Sequence, residues 1–351
     1  MFKCLTCEDI EAWGNKYVAR HQLPELIKRL IKASIDEKNL TWIRFPSGSG
    51  TQLSGVDGVV ISSIKTSKIP LGYSIWEMGS NSDYKTKATK DYTKRTKKSH
   101  GYTRKKSTFI FVTPRKWEDN KGRTSKTNWI SFRKKQKKWK DVRVYDSVDI
   151  EDWLEDSPAV AIWFAKNRLN IIPQNVLSLE TYWNEWCYFK EDKVEASFVL
   201  EKRESMIPIV NKWLEEPASL FKVKSISSDE SISFISAVIE NSSKKEDYYS
   251  RAVIINNMAD MRDICASKNK LLILYSGEIT SGVTYFVGQG HHIMISKPQY
   301  DMTVTPSLPI FPFSENEFIE KLKSIGISSI DAKDFYDHSN GYLSNFKEIY
   351  I

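Results

Sequence analysis

The chain has 351 residues, of which 40% are hydrophobic, 27% charged and 12% aromatic; this exceeds one average domain, suits two, and is too aromatic for a disordered chain. No run of about 18 apolar residues offers a membrane span, and acids in the N-terminal MFKCLTCEDIEAW oppose a signal peptide, so a cytoplasmic protein without a membrane partner is expected. The formal net charge of +8 is unevenly held: residues 1–190 carry 35 Lys and Arg against 21 Asp and Glu, the remainder 17 against 23, which points to a polyanion, most commonly nucleic acid, as partner of the first half alone.

In chain order, Leu23, Leu26, Ile27, Leu30, Ile31 and Ile35 recur at helical spacing in LPELIKRLIKASI, with Pro24 expected near the first turn. The β-forming Leu40 to Phe45, a PSGSG turn and the alternating Gly55 to Ser62 predict two strands, and Tyr73 to Met78 a third after the breaker Pro70-Leu71-Gly72. A helix from about Tyr84 to Lys97 follows. Ser107 to Thr113 and Asp141 to Tyr145 read as further strands. Asp146 or Ser147 can cap a helix through Leu154, and Pro158 to Asn170 continues as another. The order helix, three strands, helix, two strands, helices predicts a mixed α/β sheet flanked by helices over residues 1–170.

The aromatic stretch 171–205 has no clear period and is expected to pack as a connector. From 206 to 351, strands at Leu220 to Val223, Ala252 to Ile255, Lys270 to Tyr275 and His291 to Ser296 alternate with helices at Asp229 to Glu240 and Met258 to Ser267. This predicts a second α/β domain with a mostly parallel sheet, followed by a helical tail from Glu315 to Tyr350 broken at Gly326 and Gly341.

Two acids stand out in the first half. Asp57 lies between Gly55 and Gly58 in an apolar strand, and Glu77 ends the next strand before Gly79. A buried acid is costly unless paired or metal-bound, so acids on consecutive strands call for an explanation. Metal-assisted phosphodiester hydrolysis supplies one: carboxylates hold a divalent cation beside the phosphate, and a lysine orients water or stabilises developing charge. The plainer alternative is a turn cap at Asp57 and a solvated strand end at Glu77.

The stretches FPSGSGTQLSGVDGVV, IWEMGSN, KTKATKDYTKR and FIFVTPRKW, in that order, resemble an N-terminal PD-(D/E)XK nuclease domain found on large bacterial proteins, many suspected of antiphage defence. The resemblance covers about residues 20–190. It implies a restriction-endonuclease-like core, Mg²⁺ or Mn²⁺ as cofactor, DNA as substrate, Asp57 and Glu77 as metal ligands, and Glu25 on the first helix as a third acid. One departure is plain: the family places lysine two positions after the second acid, where this chain has Gly79. The following helix offers Lys85, Lys87 and Lys90. Lys87 is favoured as the catalytic lysine because it shares a helix face with Asp91 and Arg95.

Ten Lys or Arg fall between Lys85 and Lys106, and six within RKKQKKWK from Arg133 to Lys140. Lys85, Lys90, Lys94, Arg95, Arg133, Lys134, Lys135 and Arg115 are therefore candidate phosphate contacts, giving salt-sensitive binding to DNA largely independent of sequence. The alternatives are a surface ion-pair ladder for Lys87 to Arg95 and a solvated loop for the second basic run.

The second half more weakly resembles a degenerate STAND or AAA-type NTPase core. Its loop SISSDES stands where a phosphate loop would be but lacks the GxxxxGK[ST] pattern, and Asp229 and Glu230 would repel a triphosphate, so no ATP use is expected. His291 and His292, as neighbours on a strand, face opposite sides and are read as structural. Cys4, Cys7, Cys187 and Cys265 are too scattered for a disulfide scaffold, and no second pair completes a zinc site with Cys4 and Cys7. A homo-oligomer would set two nuclease sites on opposite strands, though no residue marks an interface. The other function classes compatible with the sequence are a non-catalytic nucleic-acid adaptor and an assembly scaffold.

Overall fold

The computed structural model describes residues 2–46, 55–98, 101–119, 124–278, 282–298 and 305–350. The chain divides into two units, Met1–Ile172 with Ser267–Asn269, and Pro173–Ala266 with Lys270–Ile351. All four cysteines are free thiols. No helix among the described residues is long and apolar enough to cross a membrane.

The first unit runs α1 (Cys7–Gly14), α2 (Ala19–Ser34), β1 (Leu40–Arg44), β2 (Gly58–Ser62), β3 (Gly72–Met78), α3 (Tyr84–Lys97), β4 (Thr108–Val112), α4 (Lys126–Lys135), β5 (Asp141–Tyr145), α5 (Ser147–Glu155) and α6 (Pro158–Phe164). Its five strands stand in sequence order, β1 to β3 antiparallel and β3 to β5 parallel. The parallel half needs crossovers, and α3 and α4 supply them. Trp76, Met78, Ile110 and Val112 pack on one face with α1, α2, α5 and α6. Ile75, Phe109, Phe111, Val142 and Val144 pack on the other with Ala88 and Tyr92 of α3 and Trp129 of α4. Strand alternation therefore assigns Glu77, between Trp76 and Met78, to the α3 face.

Asp146 caps α5, accepting a hydrogen bond from the Asp149 backbone N–H at 3.2 Å. One expectation is corrected: the first long helix begins at Ala19, so Pro24 sits inside it, where it cannot donate to the Arg20 carbonyl. The second basic run does not take its alternative reading as a loop, since it belongs to α4 and the turn after it, and Trp129 is the buried residue of that helix. The expected PSGSG turn lies outside the described residues beyond Pro46.

The second unit contains β6 (Val176–Ser178), α7 (Leu179–Trp186), the hairpin of β7 (Tyr188–Phe189) and β8 (Asp192–Lys193), α8 (Ala196–Leu200), α9 (Ile207–Glu215), β9 (Leu220–Ser225), α10 (Ser228–Glu240), α11 (Lys245–Tyr249), β10 (Ala252–Ile255), α12 (Met258–Cys265), β11 (Leu272–Tyr275), α13 (Val283–Gly288), β12 (His292–Pro298), β13 (Leu308–Pro309), α14 (Glu315–Ser324), α15 (Ser329–Ser339) and α16 (Leu343–Tyr350). Six strands form a sheet in the order β13-β9-β12-β11-β10-β6, all parallel except β6 at the edge. Both Gly326 and Gly341 break the helical tail at positive φ.

The stretch expected to be a connector is instead part of this unit. Its strand β6 extends the sheet, and Trp183, Trp186, Phe189 and Phe198 lie in the unit's core.

A candidate acidic cleft on the first unit

Asp57 directly precedes β2 and stands opposite Glu77, because Gly58 pairs with Trp76 in the antiparallel register. Gly58 is required there: a Cβ at this position would stand 2.1 Å from the Phe45 ring. Asp57 Oδ2 accepts a 2.7 Å hydrogen bond from the Met78 backbone N–H, which ties the acid to the end of β3. Burial raises its carboxyl above the ordinary range, with Asp91 adding to the shift while the Met78 N–H, Lys87 and Arg95 oppose it.

Glu77 is 1% exposed. Burial, then the Asp57 carboxylate, push it up to about 8, against the opposing pull of Arg95. Arg95 donates from Nε to Glu77 Oε1 and from Nη2 to the Gly55 carbonyl, while its Nη1 is buried without a hydrogen-bond partner among the described residues. The expected phosphate contact at Arg95 is thereby corrected. Its side chain turns inward from the same helix face as Asp91, which is also buried.

Lys87 Nζ bonds Asp91 Oδ2 at 2.7 Å and its charge acts on Asp57. The Lys87 to Arg95 ladder is therefore not a surface feature. Lys87 also explains Gly79: a Cβ on residue 79 would stand 2.9 Å from Lys87 Cγ and 3.1 Å from Phe111 Cζ. The lysine stem from α3 fills the space that a side chain two positions after Glu77 would need.

Asp57, Gly79 and Lys87, but not the buried Glu77 and Arg95, line a cleft of about 480 Å³, and so do Arg20, Trp42 and Arg44. Sequence reasoning missed the last three. The signal available was alternation in LTWIR, which places Trp42 and Arg44 two residues apart on β1, an edge strand of this sheet.

Other expected contacts fall elsewhere. Glu25, expected as a third acid, pairs with Arg168 at 2.7 Å and Arg29 at 3.2 Å and does not line the cleft. Arg115 is likewise corrected from a free phosphate contact to a clamp, donating to the Ser80 carbonyl at 2.9 Å, the Gly14 carbonyl at 3.1 Å and Asn15. Arg133 packs over Tyr92 and Trp129, 4.9 and 5.2 Å from their ring centres, and Lys134 pairs with Asp141 at 2.8 Å. Lys90, Lys94 and Lys135 are exposed, and Lys85 is half-buried beside Tyr84.

The donor set suits a weakly held hard cation. The half-buried Asp57 raises the cost of ionising the buried Glu77, a repulsion that a divalent ion would relieve. Among the described residues no group of three His, Cys, Asp or Glu could hold a metal. Magnesium binds through one or two carboxylates and completes its shell with water and substrate phosphate oxygens, so this pair is sufficient in kind.

In the second unit, the loop after β9 is closed by the chain itself. Asp229 accepts from Tyr182 Oη and from Trp186 Nε1 at 3.0 Å; Glu230 pairs with Arg203 at 2.8 Å and accepts the Ser344 backbone N–H at 2.9 Å. His291 Nδ1 accepts the Leu271 N–H at 3.1 Å, and burial pushes that imidazole down to about 4. No protein-family model and no curated protein matches the chain.

Proposed function

We propose that the first unit is a metal-dependent endonuclease with a restriction-endonuclease-like core of the PD-(D/E)XK type, hydrolysing DNA phosphodiester bonds. The observation that carries this reading is the placing of three groups together at the end of β3: Asp57 opposite Glu77, with Lys87 occupying the space above Gly79, and a cleft that reaches Asp57 and Lys87. The element order α2, three antiparallel strands, α3 and β4 supports the same reading. Asp57 and Glu77 would hold Mg²⁺ or Mn²⁺, which would polarise the phosphate and lower the pKa of water. Lys87 places a cation where negative charge develops, and Lys90, Lys94 and Lys135 add salt-sensitive attraction for the backbone. The second unit senses, oligomerises or restrains the first in an antiphage role, without ATP.

Nicking of supercoiled plasmid with Mg²⁺ or Mn²⁺ tests this. Asp57→Ala and Glu77→Ala are each expected to lower the rate at least about a hundredfold. Unchanged activity in both would overturn the assignment.

A second reading, nucleic-acid binding without cleavage, draws on Arg95. That guanidinium already holds one oxygen of Glu77, as an internal cation would in a retired metal site. Oligonucleotide binding with no cleavage under any metal would favour it.

A further inference from the structure

The cleft contains an aromatic feature that hydrolysis alone does not call for. Trp42 is 53% exposed, on an edge strand, with no ring or hydrogen-bond partner among the described residues. Exposing an indole leaves apolar surface in water. The cleft around it is mixed: Leu23, Pro24, Val59 and Met78 line it beside three cations, the exposed Arg20 and Arg44, to which no acid is paired among the described residues, and the half-buried Lys87. The pairing register puts Trp42 opposite Ile61 and Arg44 opposite Val59, which in turn faces Ile75. Trp42 and Arg44 therefore share the sheet face of Glu77.

An indole flanked by guanidinium groups matches an unpaired nucleotide: the ring stacks on a base while the cations meet the phosphates on either side. In an intact duplex each base is stacked between neighbours and paired at its edge, so its face is closed to a side chain unless the nucleotide is extruded. Asp57 lines the cleft while Glu77, opposite it, is almost wholly enclosed, so a phosphate that enters the cleft meets Asp57 first.

Building on the nuclease reading, we propose that the cleft takes an unpaired strand, as in a single-stranded, flapped or frayed end, and that Trp42 is the platform on which a base of that strand stacks. Arg44 and Arg20 hold its backbone. The strand so held presents its phosphate to Asp57 and Glu77.

Fluorescence anisotropy of the full chain in EDTA, with a labelled oligo-dT strand and a blunt duplex of equal length, tests the proposal without cleavage. Wild type is expected to prefer the single strand. Trp42→Ala should weaken that binding about tenfold or more, leave the duplex within about twofold, and leave the melting temperature unchanged; Trp42→Phe should keep most of the affinity. Equal losses on both probes, no loss on either, or a wild-type preference for duplex would overturn it. So would a chain that binds neither probe, which would leave Trp42 to a protein partner. Cleavage of the single strand in Mg²⁺ or Mn²⁺, lost in Asp57→Ala, reports separately on hydrolysis: cleavage retained without a selective Trp42 effect sinks only the single-strand site, whereas a selective Trp42 effect with no cleavage of single strand or plasmid sinks only the nuclease.

Discussion

Each unit sets a buried and a half-buried acid together beside a sheet, and the two pairs are treated in opposite ways. In the second unit Asp229 and Glu230 open α10, where each finds partners within the chain: an indole and a phenol for the first, a guanidinium and a backbone N–H for the second. In the first unit Asp57 and Glu77 face each other, both carboxyls are shifted upward, and the space beside Asp57 is a cleft rather than packed protein. Burial alone does not mark a functional acid. Incomplete compensation combined with access does, since that is the state a ligand from outside can improve.

The largest effect that would break this contrast concerns the two arginines. Arg203→Met leaves Glu230 buried and unpaired and should cost about 3–5 kcal/mol whatever metal is present, read by denaturant unfolding. Arg95→Met should cost a similar amount in EDTA but recover part of it in Mn²⁺, because a cation can replace the guanidinium beside Glu77. Identical losses with and without metal would place the first pair in the same structural class as the second.

Next in size is Lys87→Ala, expected to lower nicking about ten- to a hundredfold while stability changes by less than about 1 kcal/mol, since its ion pair is partly exposed. A loss of folding in step with activity would make Lys87 a prop for Asp91 instead.

The pH dependence sharpens the contrast further. The Glu77 carboxyl lies at about 8 in the folded chain against an ordinary 4.5, so between those values the folded chain holds a proton that the unfolded chain has shed. Metal-free stability should therefore fall as pH rises through that window, and nicking should rise towards pH 8 as the ligand ionises. Saturating Mn²⁺ favours the carboxylate and should flatten the stability loss. Thermal melts that fall equally with and without Mn²⁺ would argue that no cation meets Glu77.

The smallest effect is at the surface. Lys90→Ala and Lys94→Ala should each reduce the salt dependence of DNA binding by about one unit in the logarithmic slope, with little change in cleavage at low salt. An unchanged slope would remove α3 from the backbone contact.

The order of the main strands and longer helices was legible where hydrophobic period and turn residues agree, as in LPELIKRL and in the strands from Leu220 to Ser296, whereas α1, α4, α9, α11, α13 and β13 were not read. The region 173–205 was not, since its short pieces β6 to α8 are too brief to establish a period and are specified by the aromatic core they join. In the site, consecutive strands identified Asp57 and Glu77, and helical spacing put Lys87, Asp91 and Arg95 on one face. Spacing says which residues share a face but not what that face meets. That is why Arg95 read as a solvent-side cation, Arg115 as free and Glu25 as a neighbour of the pair. Their actual partners, Glu77, the Gly14 and Ser80 carbonyls, and Arg168, are far away in sequence or lie in backbone atoms that carry no residue signature.

The fit of Lys87 over Gly79 has a consequence for how such a site can change by mutation. A side chain at residue 79 meets Lys87 and Phe111, whereas trimming Lys87 first removes the cation before a substitute exists. Gly79→Lys and Lys87→Ala should each be damaging alone and substantially less so together, a reciprocal sign of epistasis measurable in a double-mutant cycle. On the proposed nuclease reading, each arrangement of the lysine would be a separate local optimum with a poorly active single mutant on either side.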